Sequence, residues 1–249
     1  MHKIAQHDDT ASQSEIDEIV YRISHDLRAS VRALRELPDW LREDLDEIDV
    51  DIVGEPDRTL SLIASHARRL DEMLNGLLTF SRVGRLQERV RLQPQNVFES
   101  VVAELQPGPD VQFFAQFNGV EIDIGAADVA RIFQITLSNA IRHAQRDDVK
   151  IEVTSCKSGT HWELLVSDNG PGIEDEFKSS IFRPMTKLVS RDEDEGGGMG
   201  LAILSKIVDH YGGSVHVENR IRNGGSTFRI RLPVLIAPHV REMKNPHDL

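Results

Sequence analysis

The stretch from Val166 to Ile203, VSDNGPGIEDEFKSSIFRPMTKLVSRDEDEGGGMGLAI, constrains this chain more than any other. The apolar run Leu164–Val166 ends in Asp168-Asn169-Gly170-Pro171-Gly172. A buried strand that breaks into a glycine turn leaves Asp168 at the rim of a pocket. A carboxylate there accepts from an exocyclic amine, and the glycines let a flat ring approach the backbone. Further on, Gly196-Gly197-Gly198-Met199-Gly200 runs straight into the helical Leu201-Ala202-Ile203-Leu204. Glycines ahead of a helix expose backbone N–H groups and the positive end of the macrodipole, which suits phosphate. The glycine run is neither a P-loop signature nor a Gly-x-Gly-x-x-Gly placed directly after a strand, so both of those folds are excluded. A base at one end, a polyphosphate at the other and a polar lid between them make a nucleotide cradle.

The bulk properties fit a globular protein without a membrane span. The 249 residues are long enough for one large domain or two small ones. No apolar run approaches the ~20 residues of a membrane helix, and the polar N-terminus lacks a signal-peptide core. A single cysteine, Cys156, rules out an internal disulfide framework and fits a reducing cytoplasm, the expected location. The net charge of −12 argues against nucleic acid or an anionic membrane as partner.

From Ser14 to about Leu37, Ile16, Ile19, Val20, Ile23, Leu27, Val31 and Leu34 recur at three- and four-residue steps, one stripe of an amphipathic helix. Pro38 is expected to kink or interrupt it, although Trp40, Leu41 and Leu45 continue the apolar face. The acidic connector EDLDEIDVDIVGEPD follows. A second helix is expected from about Asp57 to Val83, roughly 40 Å long at 1.5 Å per residue. Two long helices with wide apolar faces cannot bury them as a lone hairpin. A homodimer in which two hairpins form a four-helix bundle solves that problem.

Gly84 and the polar RLQERVRLQPQ mark a boundary. Beyond it the expected strands are Val90–Leu92, Val111–Phe117, Val120–Ile124, Val149–Cys156, His161–Ser167, Ser214–Glu218 and Ser226–Leu232. The expected helices are Val97–Leu105, Ala126–Ala144 and Met199–Tyr211. Strands with helices to cover one face read as an α/β sandwich. The division is a polar tail (1–13), an all-α hairpin (14–84), an α/β domain (85–233) and a C-terminal tail (234–249).

Asn139, the Asp168 turn, the Gly196–Gly200 run and Gly224-Gly225-Ser226-Thr227-Phe228 come in an order that resembles the N, G1, G2 and G3 boxes of the GHKL ATP-binding fold. Histidine kinases, chaperones, repair proteins and type II topoisomerases share that fold. Upstream, Ser24-His25-Asp26-Leu27-Arg28 resembles the H-box of histidine kinases, and LLTFSRVGR looks like the second helix of phytochrome-type kinases. Phe182 and Pro184 resemble the F-box that anchors the lid.

The resemblance implies an ATP-dependent protein-histidine kinase of a two-component system. His25 would be the nucleophile, with Asp26 orienting its imidazole. Asn139 would be an oxygen ligand to Mg²⁺ and Arg142 would contact phosphate, with His143, one helical turn from Asn139, beside them. ATP would be held through Asp168, Gly170, Gly172, Lys187, Gly196, Gly198, Gly200, Leu201 and Thr227, with Arg191 a further lid cation. Ile135 stands where chaperone-type ATPases place a water-activating glutamate, which favours transfer to protein over hydrolysis. The rival readings are a GHKL-type ATPase and a phosphotransfer adaptor with decayed kinase activity. The expected partner is a response regulator receiver domain. Only about two dozen residues precede His25, too few for a sensor domain, so any sensor or input protein is expected to be separate.

Overall fold

The structure, a computed structural model, describes residues 5–48, 50–84, 87–187, 197–220 and 224–234, with side chains of the first helix from Glu18 onward. The chain forms two compact units, one of Met1–Gln87 with Ile173–His210 and one of Glu88–Gly172 with Tyr211–Leu249.

The first unit is built on a hairpin of α1 (Ala5–Asp46) and α2 (Glu55–Arg82). Gly54 at φ 75° turns the chain into α2, and Pro56 in the first turn needs no hydrogen-bond partner there. Glu55 and Asp57 lie at the positive end of the helix and Arg82 at the negative end, each matched to the dipole. Ser24, Val31 and Pro38 are buried at heptad spacing on α1, and Ala67, Leu74 and Ser81 repeat the step on α2. That is a coiled-coil seam. Arg42 fixes the register across it, donating to Asp57 at 3.0 Å and to Ser61 at 2.9 Å.

The extent of α1 differs from the sequence reading. Helix α1 starts earlier than Ser14 and runs through Pro38 to Asp46 without interruption. A mid-helix proline costs about 3 kcal/mol locally, but here its ring is part of the buried seam, and packing outweighs propensity. The apolar stripe is also only partly used. Val31 is buried, whereas Ile19, Ile23, Leu27, Leu34, Leu37 and Leu41 stay exposed, Ile23 at 54%. Within one chain α2 covers the seam and leaves this flank open.

Also in the first unit are the 3₁₀ turn Ser180–Phe182 and α5 (Gly200–His210), which packs on α2. Lys206 Nζ lies 4.1 Å from the centre of the Phe80 ring.

The second unit comprises β1 (Val90–Leu92), α3 (Pro94–Leu105), β2 (Val111–Phe117), β3 (Ile122–Ile124), α4 (Ala126–Arg142), β4 (Val149–Ser158), β5 (His161–Ser167), β6 (Ser214–Asn219) and β7 (Ser226–Pro233). The five-stranded sheet has the order β2-β4-β5-β7-β6, antiparallel except for β2 beside β4, and β1 and β3 form a separate antiparallel pair. In β5 and β7 every second residue is buried, the period-2 pattern of a sheet with one covered face. Phe98 of α3 and Phe133 of α4 meet edge-on at 5.6 Å, and Phe98 reaches Phe113 and Phe117 of β2 at 6.1 and 5.3 Å. This cluster joins the helices to the sheet.

At the start of α4, Tyr211 donates to Oδ2 of the fully buried Asp128 at 2.8 Å and accepts from the Gly125 N–H at 3.1 Å. Burial pushes the Tyr211 phenol up to about 12, and the Asp128 carboxylate adds to the shift. The pKa is raised on folding, so the stabilisation is present below pH ~10 and is lost as pH rises towards 12. In the Tyr21→Phe variant Tyr211 is the one tyrosine left, and its phenolate absorbance should appear near pH 12. A step near pH ~10 would contradict the buried pairing.

Candidate functional site

In the second unit the end of β5 is tied to the start of β7 through Asp168, which is 7% exposed. Its Oδ1 accepts from the N–H groups of Gly170 at 2.8 Å and Ser226 at 3.1 Å, and its Oδ2 from the Ser226 hydroxyl at 2.6 Å. Its own N–H donates to the Ser226 carbonyl at 2.9 Å. A carboxylate offers about four acceptor positions. Three are filled here, which leaves one on Oδ2 for an outside donor.

The glycines beside it are demanded by contact. Gly225 has φ 91°, and a Cβ there would run into the Asp168 carbonyl oxygen. Asn169, also buried, bolts the turn to the adjacent strand: Nδ2 donates to the Asp148 carbonyl at 2.8 Å and Oδ1 accepts from the Lys150 N–H at 2.9 Å. Arg146 donates to the Asn169 carbonyl at 3.0 Å and to Asp148 at 3.1 Å, and that hydrogen bond holds the Asp148 carboxyl below the usual carboxylate range. Arg220 grips both oxygens of Glu152 at 3.0 Å and reaches the Asp168 carbonyl at 3.4 Å.

The sequence candidates of this unit fall around that turn. A Cβ on Gly170 would sit 3.3 Å from the His143 carbonyl, so the C-terminal end of α4 lies against the Asp168 turn. Asn139, Arg142 and His143 occupy that last turn, and the His143 N–H donates to the Asn139 carbonyl at 3.1 Å. The Asn139 side-chain amide is half-buried and makes no hydrogen bond among the described residues. An open amide oxygen fits a hard cation such as Mg²⁺. Gly172, at φ 84°, packs by Asn219 and Gly225. Thr227 is paired instead, its hydroxyl 2.8 Å from that of Ser167 on the neighbouring strand.

In the first unit Gly198, at φ 66°, packs on the Met185–Thr186 backbone, and the Met185 N–H donates to the Gly198 carbonyl at 3.0 Å. Gly200 and Leu201 form the first turn of α5. Lys187 is half-buried. Gly196 and Arg191 lie outside the described residues. On α1, His25 and Asp26 point into solvent, with side chains 63% and 82% exposed. The His25 Nδ1 is 3.3 Å from Asp26 Oδ1.

Sequence reasoning missed Ser226, Asn169 and Arg220. Ser226 stood inside the Gly-Gly-Ser-Thr-Phe block, but only the β5–β7 register, Ser167 opposite Thr227, sets it against Asp168. Among the described residues no cluster of His, Cys, Asp and Glu could hold a metal ion, and no helix is long and apolar enough to cross a membrane.

Residues 125–236 match the family described as histidine kinase-, DNA gyrase B-, and HSP90-like ATPase, and this segment is a domain of that family. The chain as a whole is similar to signalling kinases. It is 29% identical to cyanobacterial phytochrome B of a Nostoc species over 89% of this chain and 30% of that protein. It is 30% identical to the sensor histidine kinase TrcS of Mycobacterium tuberculosis over 85% of this chain and 42% of that protein. The chain thus spans less than half the length of these two relatives. Its fold is shared with the histidine kinase ThkA, solved in complex with the response regulator protein TrrA, with TM-score 0.64 and 18% identity over 94% of this chain and 67% of that one.

Replacing Ser226 by Ala removes the hydroxyl from Asp168 Oδ2 in a buried site, which should cost about 1–3 kcal/mol in a denaturant titration. An unchanged midpoint would mean that the Asp168 turn does not depend on this bond.

Proposed function

We propose that this chain is an ATP-dependent protein-histidine kinase that phosphorylates itself on His25 and passes the phosphoryl group to an aspartate of a response regulator. The observation that carries the reading is one buried carboxylate, Asp168, with a single acceptor position left open in a turn that lies against the C-terminal end of α4, the turn of helix that carries Asn139. The ATPase family matched by residues 125–236 supports the nucleotide, and the ThkA–TrrA complex supports the kind of partner.

In this reading Asp168 accepts a hydrogen bond from the adenine amine, and Gly170 and Gly172 let the ring lie close to the backbone. The N–H groups around Gly198, Gly200 and Leu201 hold the phosphates, assisted by Arg142, His143 and Lys187. The Asn139 amide oxygen is the protein ligand for Mg²⁺, which when bound neutralises charge on the phosphate oxygens. His25 Nε2 attacks the γ-phosphorus in line, and the bond to the β-phosphate oxygen breaks as ADP leaves with the electron pair. Asp26 accepts from Nδ1–H, which keeps the lone pair on Nε2. Ile135 supplies no carboxylate that would activate water at its position on α4, so protein is the acceptor rather than solvent.

The exposed flank of the hairpin supports a homodimer. Ile19, Ile23, Leu27, Leu34 and Leu37 on α1 and Leu62, Ile63 and Leu70 on α2 are all exposed in one chain. Burying each such side chain in a second hairpin is worth about 1.5–3 kcal/mol before association costs. The partners are then a second copy of this chain and a receiver domain.

Incubation with γ-labelled ATP and Mg²⁺ should yield an acid-labile, base-stable phosphoryl group on the wild type and none on His25→Gln. Label retained on that variant would overturn the assignment. Light scattering at micromolar concentration should give twice the mass of 28.0 kDa, and a monomer would contradict the four-helix bundle.

A further inference from the structure

His25 is held by very little on its own helix. Its ring is largely exposed, and one 3.3 Å hydrogen bond to a still more exposed Asp26 does not by itself fix a rotamer. A second constraint comes from the preceding turn. Tyr21, four residues earlier on the same face, stacks on the imidazole with ring centres 6.3 Å apart and planes 29° from parallel. Tyr21 is held in turn from the other helix. The Arg82 guanidinium lies 4.8 Å from the Tyr21 ring centre, and its Nη2 donates to the Tyr21 hydroxyl at 2.9 Å. Arg82 is the last residue of α2, followed by Val83 and by Gly84 at φ 77°.

We propose that Tyr21 is a positioning residue for the phosphoacceptor: clamped by Arg82, it holds the His25 ring so that Nδ1 faces Asp26 and Nε2 faces outward. The proposal rests on His25 being the acceptor. The physical basis is that an in-line attack needs the nitrogen lone pair in one direction, and a freely turning ring spends little time there. A guanidinium over one ring and a second ring stacked on the first form a relay from the end of α2 to the reacting nitrogen. The set of the last α2 turn then governs how often His25 is aimed. Arg82 sits at the chain's exit into the linker, so a change there reaches the imidazole through one side chain.

The test uses the full chain, ATP and Mg²⁺, and reads kcat and KM for ATP in autophosphorylation. Tyr21→Ala should lower kcat about 3- to 10-fold with KM unchanged, since it removes orientation and not nucleotide binding. Tyr21→Phe keeps the stacked ring and should retain at least about half of the wild-type kcat. Arg82→Gln leaves the ring but removes the cation, and should fall between the two. It also provides the test should Tyr21→Ala fold poorly. Wild-type kcat in Tyr21→Ala and Arg82→Gln would overturn the proposal, as would a loss confined to KM or a Tyr21→Phe protein as slow as Tyr21→Ala. His25→Gln in the same assay separates the two levels. If it is unlabelled, failure of the Tyr21 variants refutes the positioning alone, whereas label on it removes the acceptor reading and the positioning with it.

Discussion

The second unit depends on one buried carboxylate. Asp168 closes β5, and without its bonds to Gly170 and Ser226 the glycine turns on either side would have no fixed shape. Burying a charge is costly unless donors surround it. Here two backbone N–H groups and one hydroxyl meet that need, and the arrangement makes Gly225 obligatory because any side chain would strike the Asp168 carbonyl. Asn169 and Arg220 secure the same turn to β4, through the Asp148–Lys150 backbone and through Glu152. The result is a rigid rim whose one open acceptor direction is set in advance, the kind of preorganisation that lets a single hydrogen bond discriminate between ligands.

The hairpin follows a different logic. Its heptad seam, Ser24–Val31–Pro38 with Ala67–Leu74–Ser81, mixes small and polar residues with Val31 and Leu74 and leaves most of the larger apolar side chains of α1 unused. Those larger side chains lie on the open flank. A helix pair that spends its serines and a proline on its own seam and leaves most of its leucines and isoleucines outside keeps an apolar flank exposed in one chain. His25 is exposed, with Tyr21 stacked on it and Arg82 held on Tyr21 in turn, so this cluster stays at the surface of the hairpin.

Much of this was legible in the chain. The strands His161–Ser167 and Val111–Phe117 have the expected bounds, and His161–Ser167 shows the period of two that a sheet covered on one face imposes. Asp168 and the glycine blocks also stood out, since their residue types have few other uses in that order. Three things were not legible. The continuity of α1 through Pro38 is decided by tertiary burial, which local propensity does not contain. The helical stripe could not say which apolar residues are buried in the hairpin and which stay exposed, because both sets recur at three and four residues. Ser226 lies 58 residues from its partner Asp168, and only strand register brings them together.

The nucleotide reading stands or falls on what Asp168 accepts, and one titration asks that directly. Inosine triphosphate carries a carbonyl oxygen where ATP carries the 6-amino group, and is otherwise the same ligand for the phosphate-binding residues. Measured by calorimetry on the wild-type chain with Mg²⁺, ATP should bind at least about tenfold more tightly, because the carbonyl leaves the carboxylate facing a second acceptor. The gap should narrow in Asp168→Asn, whose amide can donate to that carbonyl. Equal affinities of the wild type for the two nucleotides would contradict the assignment of Asp168 as the reader of the base.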